Sequence, residues 1–192
     1  MQIISSEILL NAYRNGYFPM AESKEGEIHW YFPKRRGIIP LDRIKISRSL
    51  QQTIKKNIFE VRINSNFENV MRKCASREET WISETIIQSY VMLHQKGFAH
   101  SVETYFQNTL VGGLYGVALG GAFFGESMFS TMSNASKIAL VFLAQHLQKR
   151  HYELLDTQYI TTHLQTLGAI EISSEEYMIK LYSALQKQCT FI

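Results

Sequence analysis

Residues 110–136 read LVGGLYGVALGGAFFGESMFSTMSNAS, and this stretch decides the fold. It holds six glycines between Gly112 and Gly125 and no charge before Glu126. The run from Thr104 to Gly125 is uncharged for about the length that crosses a bilayer, yet its glycines, Gln107 and Asn108 argue against a membrane helix. Gln107-Asn108 is predicted to turn the chain between strands at 101–106 and 109–119, and Gly120-Gly121 to turn it again before a strand at 122–129. Three consecutive antiparallel strands result. Glu126 then stands alone among Phe123, Phe124, Met128 and Phe129. An acid so placed costs free energy unless something pairs with it or uses it, so a site is expected around it. Pairing with Lys137 or with a backbone amide is the structural alternative.

Working outward, Ser6 can cap a helix at 7–15 that Gly16 ends, followed by extended Tyr17-Phe18-Pro19. A loop with Gly26, Pro33 and Gly37 comes next. Helix is predicted at 48–56, strand at 59–63, and helices at 66–75 and 83–96, the last stopped by Gly97. Beyond the meander, Ile138, Leu140, Val141, Leu143, Ala144 and Leu147 form a broad apolar face on a helix at 134–150. A strand at 152–156, a helix at 159–167, a strand at 169–172 and a helix opened by Ser173-Ser174-Glu175-Glu176 complete the chain. Strand, two helices, three antiparallel strands, helix, strand, helix, strand is the order of the acetyltransferase-like α+β fold, a mixed sheet flanked by helices. Acetyltransferases hold coenzyme A pyrophosphate on a glycine-rich turn after the fourth strand. Here that turn, residues 127–134, SMFSTMSN, has no glycine, which disfavours coenzyme A and leaves an N-acetyltransferase as the alternative reading.

At 192 residues and 45% apolar the chain can build one full core and a small appended lobe. Cys74 and Cys189 are far apart, which fits free thiols and a cytoplasmic protein. No secretory pattern opens the sequence. The histidines show no metal-ligand spacing, so no metal is expected. Between Tyr31 and Arg62 nine basic residues face two acidic ones, a surplus of seven that leaves the rest at −4 within a formal +3. A zone of this kind suits a phosphate backbone. A solvated surface is the equal alternative, and a non-catalytic RNA-binding module would need no more than that zone.

Several blocks together resemble the leucyl/phenylalanyl-tRNA–protein transferase family. They are Ala12-Tyr13 with Gly16-Tyr17-Phe18-Pro19, Ile46-Ser47-Arg48-Ser49, Cys74-Ala75 with Thr80-Trp81-Ile82, and Leu93-His94 with Gly97 and residues 99–103. Residues 110–116 and 125–129, Asn134-Ala135-Ser136-Lys137 and Asp156-Thr157-Gln158 continue the match in the family's order. The resemblance implies an enzyme without cofactor. It would move leucine, phenylalanine and, less readily, methionine from tRNA to the α-amino group of an N-terminal Arg or Lys on acceptor proteins, for degradation by the N-end rule. It also implies a reduced N-terminal lobe, residues 1–33, before an acetyltransferase-like domain, residues 34–192; a monomer off the membrane is the expectation, with the oligomeric state open in the sequence.

The chemistry demands little of a base, because the ester is activated and an α-amino group of pKa about 7.7–8.0 is partly neutral. It does need an apolar pocket, a group for the donor's ammonium and a group for the incoming amine. Asp156 and Gln158, two apart in an extended segment, share a side and suit the last task, Gln158 bonding the amine or carbonyl while Asp156 polarises it or relays a proton. Capping of the next helix is the structural alternative for Asp156. Glu126 is expected at the donor's ammonium or close to the reacting ester. The resemblance places Phe123, Leu114, Leu140, Leu143 and Leu155 around the side-chain pocket. It sets Trp81 and Met20 at the tRNA 3′ end, although Trp81 could equally be packing; Met20 stands where the family has an aromatic, so either the terminal adenine is held less tightly or Trp30 or Tyr31 compensates. Lys34, Arg35, Arg36, Lys45, Arg48, Lys55 and Lys56 are the candidates for tRNA backbone contact.

Overall fold

The computed structural model describes residues 3–24, 26–77 and 80–192. Helix α1 (Ser6–Arg14) starts where the Ser5 hydroxyl accepts the Ile8 N–H, one residue before the expected cap. It stops at Gly16, whose φ of 78° disfavours a side chain. Strands β1 (Phe18–Ala21) and β2 (Ile28–Tyr31) form their own antiparallel pair. The main sheet contains β3 (Arg35–Ile38), β4 (Glu60–Ile63), β5 (Ala99–Phe106), β6 (Thr109–Leu119), β7 (Ala122–Ser130), β8 (Leu154–Gln158) and β9 (Ile170–Ser173). Around it lie α2 (Arg48–Lys55), α3 (Phe67–Cys74), α4 (Glu84–Gln95), α5 (Ala135–Lys149), α6 (Thr162–Thr166) and α7 (Ser174–Leu185).

The strand order is β4-β5-β6-β7-β8-β3-β9, with β7 and β8 parallel and every other neighbouring pair antiparallel. This is the expected mixed sheet, and from β4 to β9 the expected element order. The meander forms as read, with Gln107 and Asn108 at φ 49° and 60° in the first turn and Gly120 at φ 57° in the second. No helix among the described residues is long and apolar enough to cross a membrane. Two differences stand out. The segment expected as loop before residue 38 contains β2 and β3, and β3 is inserted between β8 and β9. The helix expected at 159–167 shrinks to α6, capped by the Thr161 hydroxyl, so Asp156 does not cap it.

Each face of the sheet carries a core. On one, α1, α3, α4 and α7 bury Leu9, Tyr13, Val70, Tyr90, Tyr115, Phe124 and Tyr177; on the other, α5 buries Leu140, Leu143 and Leu147 with Leu114, Phe123 and Leu155. The parallel pair decides where a ligand can enter. It is bonded only from Ala122–Leu154 to Phe124–Asp156, after which β7 runs on to Ser130 and β8 ends at Gln158 with φ 64°. Parted strands leave their next side chains facing an opening.

Gly116 on β6 shows how tightly the wall of this region is built. A Cβ there would lie 2.2 Å from the Phe124 carbonyl oxygen and 2.5 Å from the Phe123 ring. Gly116→Ala should therefore cost about 3 kcal/mol, read as a lower urea midpoint at unchanged slope.

Candidate active site

Glu126 lies two residues beyond the last parallel pair, 9% exposed, and three side chains hold it. The Tyr13 hydroxyl donates to Oε1 at 2.7 Å and Gln158 Nε2 donates to the same oxygen at 2.8 Å, while Tyr90 donates to Oε2 at 3.4 Å. The two phenols are also in hydrogen-bond contact, and Tyr90, with one proton, shares it between the Tyr13 oxygen and Oε2. No described cation forms an ion pair with Glu126. Burial pushes its carboxyl up to about 7; Tyr13 and Gln158 pull the other way, and Asp156 adds to the rise. Tyr13 and Tyr90, raised well above the ordinary phenol range by burial and then by Glu126, stay protonated donors.

Asp156 is fully buried and its carboxylate is saturated. Oδ1 accepts Arg36 Nε at 2.9 Å and the Gln158 N–H at 2.8 Å; Oδ2 accepts Arg36 Nη2 at 2.6 Å and the Tyr177 hydroxyl at 2.8 Å. Arg36 in turn gives Nη1 to the Gly16 carbonyl at 2.9 Å and lies over the rings of Phe18 and Tyr177, 4.6 and 4.4 Å from their centroids. Burial alone would lower the guanidinium pKa, and Asp156 outweighs it, so Arg36 remains charged. Asp156 makes no hydrogen bond to the Gln158 carboxamide. It accepts the backbone N–H of Gln158, whose φ is 64°, so its contact with that residue runs through the main chain.

The opening is a cavity of about 610 Å³. Leu114, Leu140, Leu143 and Leu155 line it, with Glu126, Gln158 and Tyr115 on the wall as well. Phe123, expected to line the pocket, lies behind that wall, its ring leaning over Gly116. Met20, Arg77 and Trp81 are shared with an adjoining hollow of about 860 Å³ that also touches Ala21, Glu22, Ser23, Lys24, Ala75, Ser76 and Thr80. Arg77 is fixed there by donating to the Cys74 carbonyl and the Ser127 hydroxyl. Trp30 and Tyr31 border neither hollow: Trp30 is exposed and Tyr31 stacks on Phe18.

Of the seven expected tRNA-backbone cations, six are exposed and one is not. Arg36 is 1% exposed and bound to Asp156, so it cannot meet a phosphate and leaves that set. Arg35 lies 3.6 Å from Glu171, whereas Lys34, Lys45, Arg48, Lys55 and Lys56 form no ion pair with a described residue. Sequence reasoning missed Tyr13, Tyr90 and Tyr177 as partners of the two acids. Their only signal was a phenol on a buried helical face, which needs a polar partner.

The site is thus an apolar hollow at the parted strands of the mixed sheet, with the Glu126 carboxyl and the Gln158 carboxamide on its polar side. Residues 38–182 match the family model for leucyl/phenylalanyl-tRNA protein transferase, and residues 3–34 match that of its N-terminal domain. The leucyl/phenylalanyl-tRNA–protein transferase of Chlorobaculum tepidum is 49% identical across 99% of this chain and 100% of its own length. That of Ruegeria sp. is 51% identical across 98% of this chain and 90% of its own length. The chain belongs to the leucyl/phenylalanyl-tRNA–protein transferase family, and it is an aminoacyltransferase.

Proposed function

We propose that this chain, acting as a cytoplasmic monomer, moves leucine, phenylalanine and, less readily, methionine from tRNA to acceptor proteins that begin with Arg or Lys, marking them for N-end rule degradation. The observation that carries the reading is Glu126, a buried carboxyl beside an apolar cavity that pairs with no cation among the described residues. The donor's side chain enters among Leu114, Leu140, Leu143 and Leu155, a wall that rejects charged side chains on desolvation cost. Its ammonium meets Glu126 and supplies the missing counter-charge.

Gln158 Nε2 is committed to Glu126, which leaves Oε1 to accept a hydrogen bond from the acceptor amine. The amine lone pair forms a bond to the ester carbon as the carbonyl π pair moves to oxygen. Collapse of that intermediate restores the carbonyl and breaks the bond to the ribose oxygen, which ends with the proton the amine gives up. Positioning supplies most of the acceleration. Trp81 and Met20 offer one ring and one thioether to the terminal base of the tRNA.

Labelled Leu-tRNA incubated with peptides beginning with Arg, Lys, Asp or Glu tests this reading. Transfer to the Arg and Lys peptides is expected; transfer to neither would contradict it. Lys34, Arg35, Lys45, Arg48, Lys55 and Lys56 are assigned to the acceptor-stem backbone. Replacing Lys45, Arg48, Lys55 and Lys56 together by Gln should flatten the salt dependence of tRNA binding by up to about three units of log–log slope. Filter binding between 50 and 200 mM salt, the range over which such contacts lose most affinity, reads this out, and all tRNAs should weaken alike.

A further inference from the structure

We infer that Phe191, in the segment after α7, sets the depth of the side-chain pocket by holding the ring of Phe123, and so tunes the choice between leucine and phenylalanine. The inference rests on the reading of the cavity as the seat of the donor's side chain. Phe191 is 3% exposed and stacks on His100, with centroids 4.2 Å apart and planes at 17°, and on Phe123 at 5.3 Å and 28°. Two further contacts tie it down. The His146 ring lies 4.8 Å away with its Nε2 2.6 Å from the Phe191 carbonyl oxygen, and Tyr152 meets the Phe191 ring edge-on at 6.5 Å.

The register explains why this reaches the pocket. His100 pairs with Gly116, whose missing side chain is replaced by the Phe123 ring, two of its atoms lying 2.5 and 2.8 Å from where a Cβ would stand. Leu114 is two residues along β6 from Gly116 and so on the same face, and Leu155 is the in-register partner of Phe123 on β8. Both leucines line the cavity, and Phe123 does not. The Phe123 ring is therefore the layer behind the pocket wall, with Phe191 packed against it. Without Phe191 the ring can swing off Gly116 into the vacated space, letting Leu114 and Leu155 retreat and deepening the cavity. A longer, flat side chain gains most from that.

The test compares kcat/KM for Phe-tRNA and Leu-tRNA, with one Arg-initiated peptide as acceptor, in wild type, Phe191→Ala and Phe191→Leu. The Phe:Leu ratio should rise roughly tenfold in Phe191→Ala, the low end of the scale of a methylene-sized change in an apolar pocket. It should rise less in Phe191→Leu, which keeps apolar volume and stands alone if the alanine variant does not fold. A merely structural role would lower the melting temperature and leave the ratio within about twofold of wild type; that result, or a shift toward leucine, overturns the inference while leaving the transfer reading intact. A wild-type chain that transfers neither amino acid overturns both.

Discussion

Glu126→Gln is expected to remove transfer while making the protein more stable at pH 8. The folded carboxyl titrates near 7 instead of its ordinary 4.5, because burial outweighs the hydrogen bonds from Tyr13 and Gln158. Between those two values the folded chain binds a proton that the unfolded chain has lost, so stability falls as pH rises through the window. Above it the fold carries the full cost, on the order of 3 kcal/mol. A glutamine keeps an acceptor for Tyr13 and Gln158 without the charge, so its urea midpoint should exceed wild type at pH 8 and match it near pH 4.5.

The same substitution removes the counter-charge of the donor's ammonium, and kcat/KM should fall at least about 10²-fold. Binding of an amide-linked phenylalanyl-adenosine gives the complementary readout. It should tighten roughly tenfold from pH 5.5 to 7, as Glu126 ionises while the ligand's amine stays protonated, and Glu126→Gln should show no such slope. Equal slopes in both proteins would separate Glu126 from the ammonium.

Arg36→Met should cost about 3–5 kcal/mol, because it leaves the Asp156 charge buried without its partner. Breaking the pair also frees the acid that holds the Gln158 N–H, so transfer should collapse along with stability. The double variant Arg36→Met/Asp156→Leu removes both charges and should regain most of the stability. It should stay inactive, since nothing then fixes Gln158 opposite Glu126. Urea unfolding and the transfer assay on all three proteins separate the two effects; a double variant that recovers activity would contradict the positioning role.

How far the sequence reaches is clearest at β6 and β3. In β6 and its neighbours local chemistry and global fold agree: Gln-Asn and Gly-Gly turns, long uncharged runs and a helix with one apolar face all specify the same meander. Glu126 was legible for a related reason, since a single acid in an apolar run must be accounted for. In β3, by contrast, Arg35-Arg36-Gly37 reads as solvated loop. Its strand exists because Gly37 lets the Thr157 hydroxyl and the Tyr159–Ile160 backbone come close and because Arg36 finds Asp156, 120 residues away. No local pattern encodes such a contact, so charge counting placed Arg36 at the surface. Spacing put Asp156 and Gln158 side by side, yet it showed neither the positive φ of Gln158 nor the saturation of Asp156 by Arg36 and Tyr177. Phe123 was carried over as pocket lining, and only the space above Gly116 shows its ring one layer back.

The central claim is that the cavity seats an esterified amino acid with its ammonium on Glu126. A crystal structure of the protein with amide-linked phenylalanyl-adenosine tests it most directly. The expected result is a phenyl ring among Leu114, Leu140, Leu143 and Leu155 and an ammonium within about 3 Å of a Glu126 oxygen, the hydrogen-bond range for such a pair. A ligand bound elsewhere, or one whose ammonium faces away from Glu126, would contradict it.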